Sequence, residues 1–237
     1  MPDSRTPMLA ADLIQVAGII DQAELEMLRQ CGVRYLGFPL RLPIHKPDLT
    51  EEEASQLTRQ LQPPVFGVLI TYLDSARAIA DLCRLLSVRT VQLHSEIEID
   101  ELKKLRGIAP DSVVIKSLVV GLDSEVNLRL TIARLSPFVD AYITDTFDPV
   151  TGASGATGKT HEWDISKRLV DYSDRPVILA GGLSPNNVKS AILKVKPAGV
   201  DVHTGVEDAF GRKSREKVER FIKEAKAGFR MIRNEDQ

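Results

Sequence analysis

Two short glycine-bearing segments stand in consecutive units near the C-terminal end of the chain. They are Ala180-Gly181-Gly182-Leu183-Ser184-Pro185 and Asp201-Val202-His203-Thr204-Gly205-Val206. Glycine lets the backbone approach a ligand closely and present its N–H groups, and such groups at a turn or helix start suit a phosphate. Each segment by itself also reads as an ordinary tight turn. The pair points to phosphate binding by Gly181, Gly182, His203, Thr204 and Gly205. A third segment, Ile143-Thr144-Asp145-Thr146, sets a carboxylate at the end of an apolar run. A carboxylate near a phosphate is costly unless it has a task. Proton donation is the natural one, because burial raises the pKa of a carboxylic acid. The structural alternative is an Asp that caps or braces the loop after it.

Other reactive side chains read differently. Gly158-Lys159-Thr160 suggests a phosphate-binding P-loop, but that motif needs glycine at position 153, where Ala153 stands. Lys159 in a Gly-rich loop either closes over an anionic substrate or is solvated. Lys116, near the end of an apolar run, is expected to point inward and pair with Asp145, a Schiff-base role being the distant alternative. His94 is expected to pack as a polar strand-end residue under the site. Cys31 and Cys83 lie on apolar helix faces and read as core, and Trp163 as packing at a helix start.

The elements that must position these groups alternate from end to end. Apolar runs at Leu13–Ala17, Val33–Phe38, Val65–Ile70, Thr90–Leu93, Val113–Ser117, Ala141–Thr144, Val177–Ala180 and Val200–Val202 are rich in Val, Ile and Leu, as strands buried on both faces should be. Between them Ala76, Ile79, Ala80 and Cys83 fall at helical spacing, as do Val188, Ala191, Ile192 and Val195, and Val218, Phe221, Ile222 and Ala225. Thr50 with Glu53 forms a capping box, Ser184-Pro185 marks a helix start, and Asp74 is placed to cap the third helix. The Gly/Thr-rich stretch between Thr146 and Trp163 is too long for a routine connection. Alternation of this kind in 237 residues predicts a single (β/α)8 barrel spanning 1–237, with 1–12 and about 227–237 as frayed tails. An open doubly wound sheet is the runner-up; it lacks a dinucleotide fingerprint, since Gly18 stands alone after the first run. In a barrel, strand C-termini carry the site, and that is where the three segments fall.

Composition narrows the partners. Hydrophobic residues make up 43% and charged residues 27%, with a formal net charge of −2. Nothing in that balance calls for nucleic acid or an anionic membrane. No uncharged apolar run reaches the roughly 18 residues of a membrane span, and Met1 to Asp12 lacks the apolar core of a secretion signal. Two distant cysteines suggest neither a disulfide framework nor a thiolate zinc site. The expectation is a cytoplasmic protein, monomer or homodimer, whose partner is a phosphorylated small molecule, with no metal.

From about Leu13 to Ala225 the chain resembles the phosphoribosylanthranilate isomerase family of tryptophan biosynthesis. The resemblance is carried by Val91-Gln92-Leu93-His94, Ile143-Thr144-Asp145-Thr146, the Gly152 to Trp163 loop, Leu179 to Val188, and Val200-Asp201-Val202 with Thr204-Gly205-Val206-Glu207. It implies an Amadori rearrangement of an N-phosphoribosyl amine without a cofactor. A general acid protonates the ribose ring oxygen, the ring opens to an iminium ion, and a general base takes the proton from C2. Asp145 matches the acid, and the two glycine segments match the phosphate cradle.

The departures are specific. The family's first strand typically reads Lys-x-Cys-Gly-Ile, whose Cys is the base; here Gln15-Val16-Ala17-Gly18-Ile19 puts Ala17 at that position. An Arg that pairs with the anthranilate carboxylate normally follows strand two; Arg41 or Lys46 stands in a different context here. His203 occupies a position where a small hydroxyl residue is usual. A missing base typically costs about 10²–10⁴ in rate. The resemblance therefore implies a weak isomerase, one that recruits His45 or His203, or a barrel for another phosphorylated ligand, catalytic or not.

Overall fold

The eight apolar runs become eight parallel strands: β1 (Leu13–Ala17), β2 (Tyr35–Pro39), β3 (Phe66–Thr71), β4 (Thr90–Leu93), β5 (Val113–Val120), β6 (Ala141–Thr146), β7 (Val177–Leu179) and β8 (Gly199–Val202). They belong to a computed structural model that describes residues 9–43, 47–146 and 163–235. Each strand pairs with its neighbour in sequence, and β1 pairs with β8, so the sheet closes into a barrel. Closure excludes the open doubly wound sheet.

Partners in register face the same side, which separates two cores. Ala17, Tyr35, Ile70, Ile115, Ile143 and Ala180 fill the barrel interior. The opposite strand faces meet the helices α1 (Gln22–Gln30), α2 (Glu51–Thr58), α3 (Ala76–Leu86), α4 (Ile99–Ile108), α5 (Glu125–Leu135), α6 (Trp163–Tyr172), α7 (Val188–Val195) and α8 (Arg215–Glu235). All three helical stripes expected from spacing are buried in this outer core. Tyr142 is fully buried there because its hydroxyl donates to Ile132 O at 2.9 Å and meets Ser136 Oγ at 3.2 Å.

Several local expectations are corrected by tertiary contacts. β6 was expected to stop at Thr144; it continues because β5 also runs on, and Val119 and Val120 lie opposite Asp145 and Thr146. Asp145 thus sits within a strand. The Thr50–Glu53 capping box is present, but Asp74 does not cap α3. Ser75 is its N-cap, and the Ala76 N–H donates to Glu101 of α4 at 2.8 Å. Ser184 does not start α7. It accepts backbone N–H groups of a preceding turn, and the helix begins at Val188. Lys116 does not point into the barrel. It lies in register with Leu93 and Tyr142, both in the outer core, so it faces the helical layer. There its ammonium donates to Ser117 O at 2.9 Å, and burial holds its pKa down to about 8.

The charged C-terminal stretch is helical rather than frayed from 227: α8 reaches Glu235, and Phe229 is only 2% exposed in the outer core. One buried ring holds the last turns where charge density alone suggested solvent. Truncation by Phe229→Ala is expected to cost about 3–5 kcal/mol, read as a lower urea midpoint; a change under about 1 kcal/mol would return the segment to a loosely attached tail.

Candidate active site

Inward-facing side chains at the C-terminal ends of the strands define the candidate site. Ala17 ends β1, Asp145 lies in the last turn of the β6 ladder, His94 follows β4, and His203 follows β8. His94 continues the strand, since its N–H donates to Thr71 O at 2.9 Å. Two residues on from Gln92, it shares that residue's inward face.

A directed chain of hydrogen bonds crosses the barrel interior beneath this rim. The Gln15 amide donates to Gln92 Oε1 at 3.0 Å. That bond fixes the orientation of the Gln92 amide, whose nitrogen lies 2.7 Å from His94 Nε2. An amide NH₂ can only donate, so His94 Nε2 accepts and the ring proton sits on Nδ1. His94 Nδ1 is 3.1 Å from Asp145 Oδ2, a close contact that is not aligned as a hydrogen bond, and neither atom has a hydrogen-bond partner among the described residues. The second carboxylate oxygen, Oδ1, accepts the Thr146 N–H at 2.8 Å. The Tyr72 ring lies against the imidazole, centroids 5.4 Å apart. Asp145 thus accepts one backbone N–H, has His94 Nδ1 at 3.1 Å from its other oxygen, and is 4% exposed. It pairs with His94 rather than with Lys116. His94, expected only to pack under the site, is the partner that the sequence reading missed. Its signal was the i, i+2 spacing from Gln92 and the strand-end position shared with Asp145.

The other end of the chain is Asp201, on β8 beside Gln15 in register. Burial pushes this carboxyl up to about 7, the Gln15 hydrogen bond opposing and the Asp145 charge adding to the shift.

The two glycine segments come together after β7 and β8. Gly181 and Gly182 adopt φ of +93° and +63°. A short 3₁₀ turn, Thr204–Val206, follows His203. A Cβ on Gly205 would fall 1.8 Å from the Leu183 carbonyl oxygen, so only glycine lets the β8 turn lie on the β7 loop. The Asn187 side chain ties that loop from within, accepting the Ser184 N–H at 2.8 Å and donating to Gly182 O at 2.9 Å.

The wall around β1 and β2 is apolar: Ala17 is buried, and a Cβ on Gly37 would meet Ile70 Cδ1 at 2.6 Å and Ala17 Cβ at 3.1 Å. Arg41 sits just beyond β2 with an exposed side chain ion-paired to Glu51. Lys159, His45, Lys46 and the connection 147–162 lie outside the described residues. Cys83 is buried with its thiol pushed up to about 12, and Cys31 is half-buried at the end of α1 with its thiol also raised, both by desolvation. Neither is on the barrel rim.

The closed barrel, with a carboxylate and imidazoles gathered at the C-terminal ends of its strands, has the architecture of a (β/α)8-barrel enzyme. The family model for N-(5'-phosphoribosyl)anthranilate isomerase matches residues 11–224. The chain belongs to the phosphoribosylanthranilate isomerase family, aldose–ketose isomerases of tryptophan biosynthesis. It is 37% identical over 226 residues to N-(5'-phosphoribosyl)anthranilate isomerase 2 of Methanosarcina mazei, covering 93% of this chain and 97% of the relative. The phosphoribosyl anthranilate isomerase structure from Thermotoga maritima superposes with a TM-score of 0.77 at 30% identity, covering 91% of this chain and 99% of that one. A solved phosphoribosyl anthranilate isomerase in complex with reduced 1-(O-carboxyphenylamino)-1-deoxyribulose 5-phosphate gives 0.74 at 29% identity, over the same 91% and 99%.

Asp201 makes a pH-dependent contribution of definite sign. Its folded pKa, about 7, is raised above the ordinary 3.8, so its contribution is present below pH 3.8 and lost as pH rises through 7. Asp201→Asn keeps the shape and removes the ionisation. Relative to the parent, the variant should gain about 1–3 kcal/mol between pH 5 and pH 8 in urea unfolding. An unchanged difference at the two pH values would contradict a buried, raised carboxyl.

Proposed function

We propose that this chain catalyses the Amadori rearrangement of N-(5'-phosphoribosyl)anthranilate, with Asp145 as general acid and the β7 and β8 loops as the phosphate cradle. The observation that carries the acid assignment is the approach of His94 Nδ1 to Asp145 Oδ2 at 3.1 Å. When Asp145 gives its proton to the ribose ring oxygen, negative charge develops on its carboxylate. The Thr146 N–H already donates to that carboxylate, and His94 Nδ1 stands 3.1 Å from its other oxygen, close enough to become a second donor as the charge develops. The C1–O bond breaks as the anilino nitrogen lone pair forms the iminium. Loss of the C2 proton then gives an enamine, which tautomerises to the ketone.

Gly181, Gly182, Thr204 and Gly205 offer backbone N–H groups for the phosphate, and their contact through Gly205 keeps the cradle in one piece. The related enzyme solved with a phosphorylated deoxyribulose supports a phosphorylated small molecule as the ligand class. Arg41 is proposed as an anthranilate-side contact at the β2 end; engaging the substrate carboxylate requires it to leave Glu51. Lys159 is proposed to close on the anionic ligand. The enzyme is read as acting in the cytoplasm, as a monomer or homodimer; no described helix is long and apolar enough to cross a membrane.

Purified protein should convert N-(5'-phosphoribosyl)anthranilate, and the gene should rescue a tryptophan auxotroph lacking this isomerase; failure of both sinks the reading. Asp145→Asn, which removes the transferable proton, is expected to lower kcat by about 10²–10⁴ with phosphate-induced thermal stabilisation retained. His94→Gln should lower kcat by about tenfold or more with KM nearly unchanged, since a donor to the developing carboxylate is weakened. A KM effect alone would make His94 a packing residue.

A further inference from the structure

Ala17 leaves the β1 wall with a methyl group where the reaction needs a proton acceptor, yet the next residue is not open. A Cβ built on Gly18 would fall 2.0 Å from Nε2 of His203 and within 2.7 Å of two of the ring carbons. The imidazole thus lies directly on the Gly18 backbone, beside Ala17. Gly18 adopts φ +77°, so both backbone conformation and ring contact demand glycine there. We propose that His203 is the general base of the isomerisation, reaching from the end of β8 over the end of β1 to the place that Ala17 cannot serve. This inference rests on the isomerase reading above and revises the expectation that His203 is a phosphate ligand.

The surroundings support a base rather than an anion contact. His203 Nε2 is 3.4 Å from Glu207 Oε1 across the 3₁₀ turn. Lys213 Nζ holds that same oxygen at 2.6 Å, and the Lys213 backbone N–H donates to Glu24 at 2.7 Å. Glu24 in turn accepts the Ile20 N–H at 3.2 Å just past Gly18. The ring is held between a glutamate and a glycine backbone, and the polar links return to the β1 end itself. Burial and the Lys213 charge hold the imidazole pKa down to about 3 without ligand, so the ring meets substrate neutral, and it serves as base only where the substrate's own charge raises that value. Protonated His203 would face Glu207 and Lys213 directly, with Glu24 behind Lys213 and Asp201 two residues below it on β8. A bound substrate phosphate on the adjoining Thr204–Gly205 turn would add negative charge and make the ring a better proton acceptor.

The step balances without any added reactant. The C2–H bond breaks and its electron pair forms the C1–C2 double bond, while the iminium π electrons return to nitrogen. The proton passes to His203. Tautomerisation to the ketone adds a proton at C1 and releases the one on the C2 hydroxyl, so His203 and Asp145 regain their starting states. Base and acid then approach from different walls: His203 from β8 over β1, and Asp145 from β6.

His203→Ala and His203→Gln are the test, assayed with N-(5'-phosphoribosyl)anthranilate beside the parent protein. Both should lower kcat by about 10²-fold or more with KM changed less than about threefold. Added imidazole should restore part of the rate of His203→Ala, and Ala17→Cys placed in the His203→Gln background should restore it independently. A raised KM with kcat intact would make His203 a phosphate ligand and overturn the inference. So would a fall in kcat that neither imidazole nor Ala17→Cys relieves. Parent protein without turnover strikes the isomerase reading first; an active parent whose His203 variants keep their kcat strikes the inference alone.

Discussion

Barrel closure between β1 and β8 is the constraint on which the site depends. It places Gln15 beside Asp201 and carries His203 over Gly18. It also brings β1 and β4 near enough across the interior for Gln15 to reach Gln92. An open sheet would leave β1 and β8 without each other, and neither the polar chain nor the imidazole contact would exist. The NH₂ group of each buried amide meets an acceptor, Gln92 Oε1 or His94 Nε2, which also settles the tautomer of His94.

That polar chain explains why a barrel core admits Gln15, Gln92 and Asp201 at positions that could have held Val or Leu. Apolar residues there would pack without the cost of desolvating amides and a carboxyl. They would leave His94 free to rotate away from Asp145. The interior therefore gives up some hydrophobic burial for orientation at the rim, as expected where a functional site interrupts an otherwise consistent core.

The active face divides into two unequal halves. On the β6–β8 side stand Asp145, the paired glycine loops and the contact through Gly205. On the β1–β2 side stand Ala17, an apolar wall and an Arg41 already paired with Glu51. Two imidazoles, each beside a carboxylate, now face the pocket from different strands: His94 with Asp145, and His203 with Glu207. His203 at the end of β8 and Ala17 at the end of β1 are neighbours in space, though far apart in sequence.

Periodicity determined the strands, the helical stripes and their alternating repeat, because burial on one or two faces imposes a pattern on the order of apolar residues. The glycine pair and Asp145 were legible for a similar reason: strand ends are where a barrel puts chemistry. Pairing partners were not legible. The facing of Lys116 follows from register, the extension of β6 from its ladder with β5, and the burial of Phe229 from a docking surface built by other helices. His94 and His203 were visible as residues, but their roles depend on what stands within about 3 Å of them, from Asp145 to the bare backbone of Gly18. Sequence fixes which groups exist and which face they share; distances between strands remote along the chain are decided only when the barrel closes.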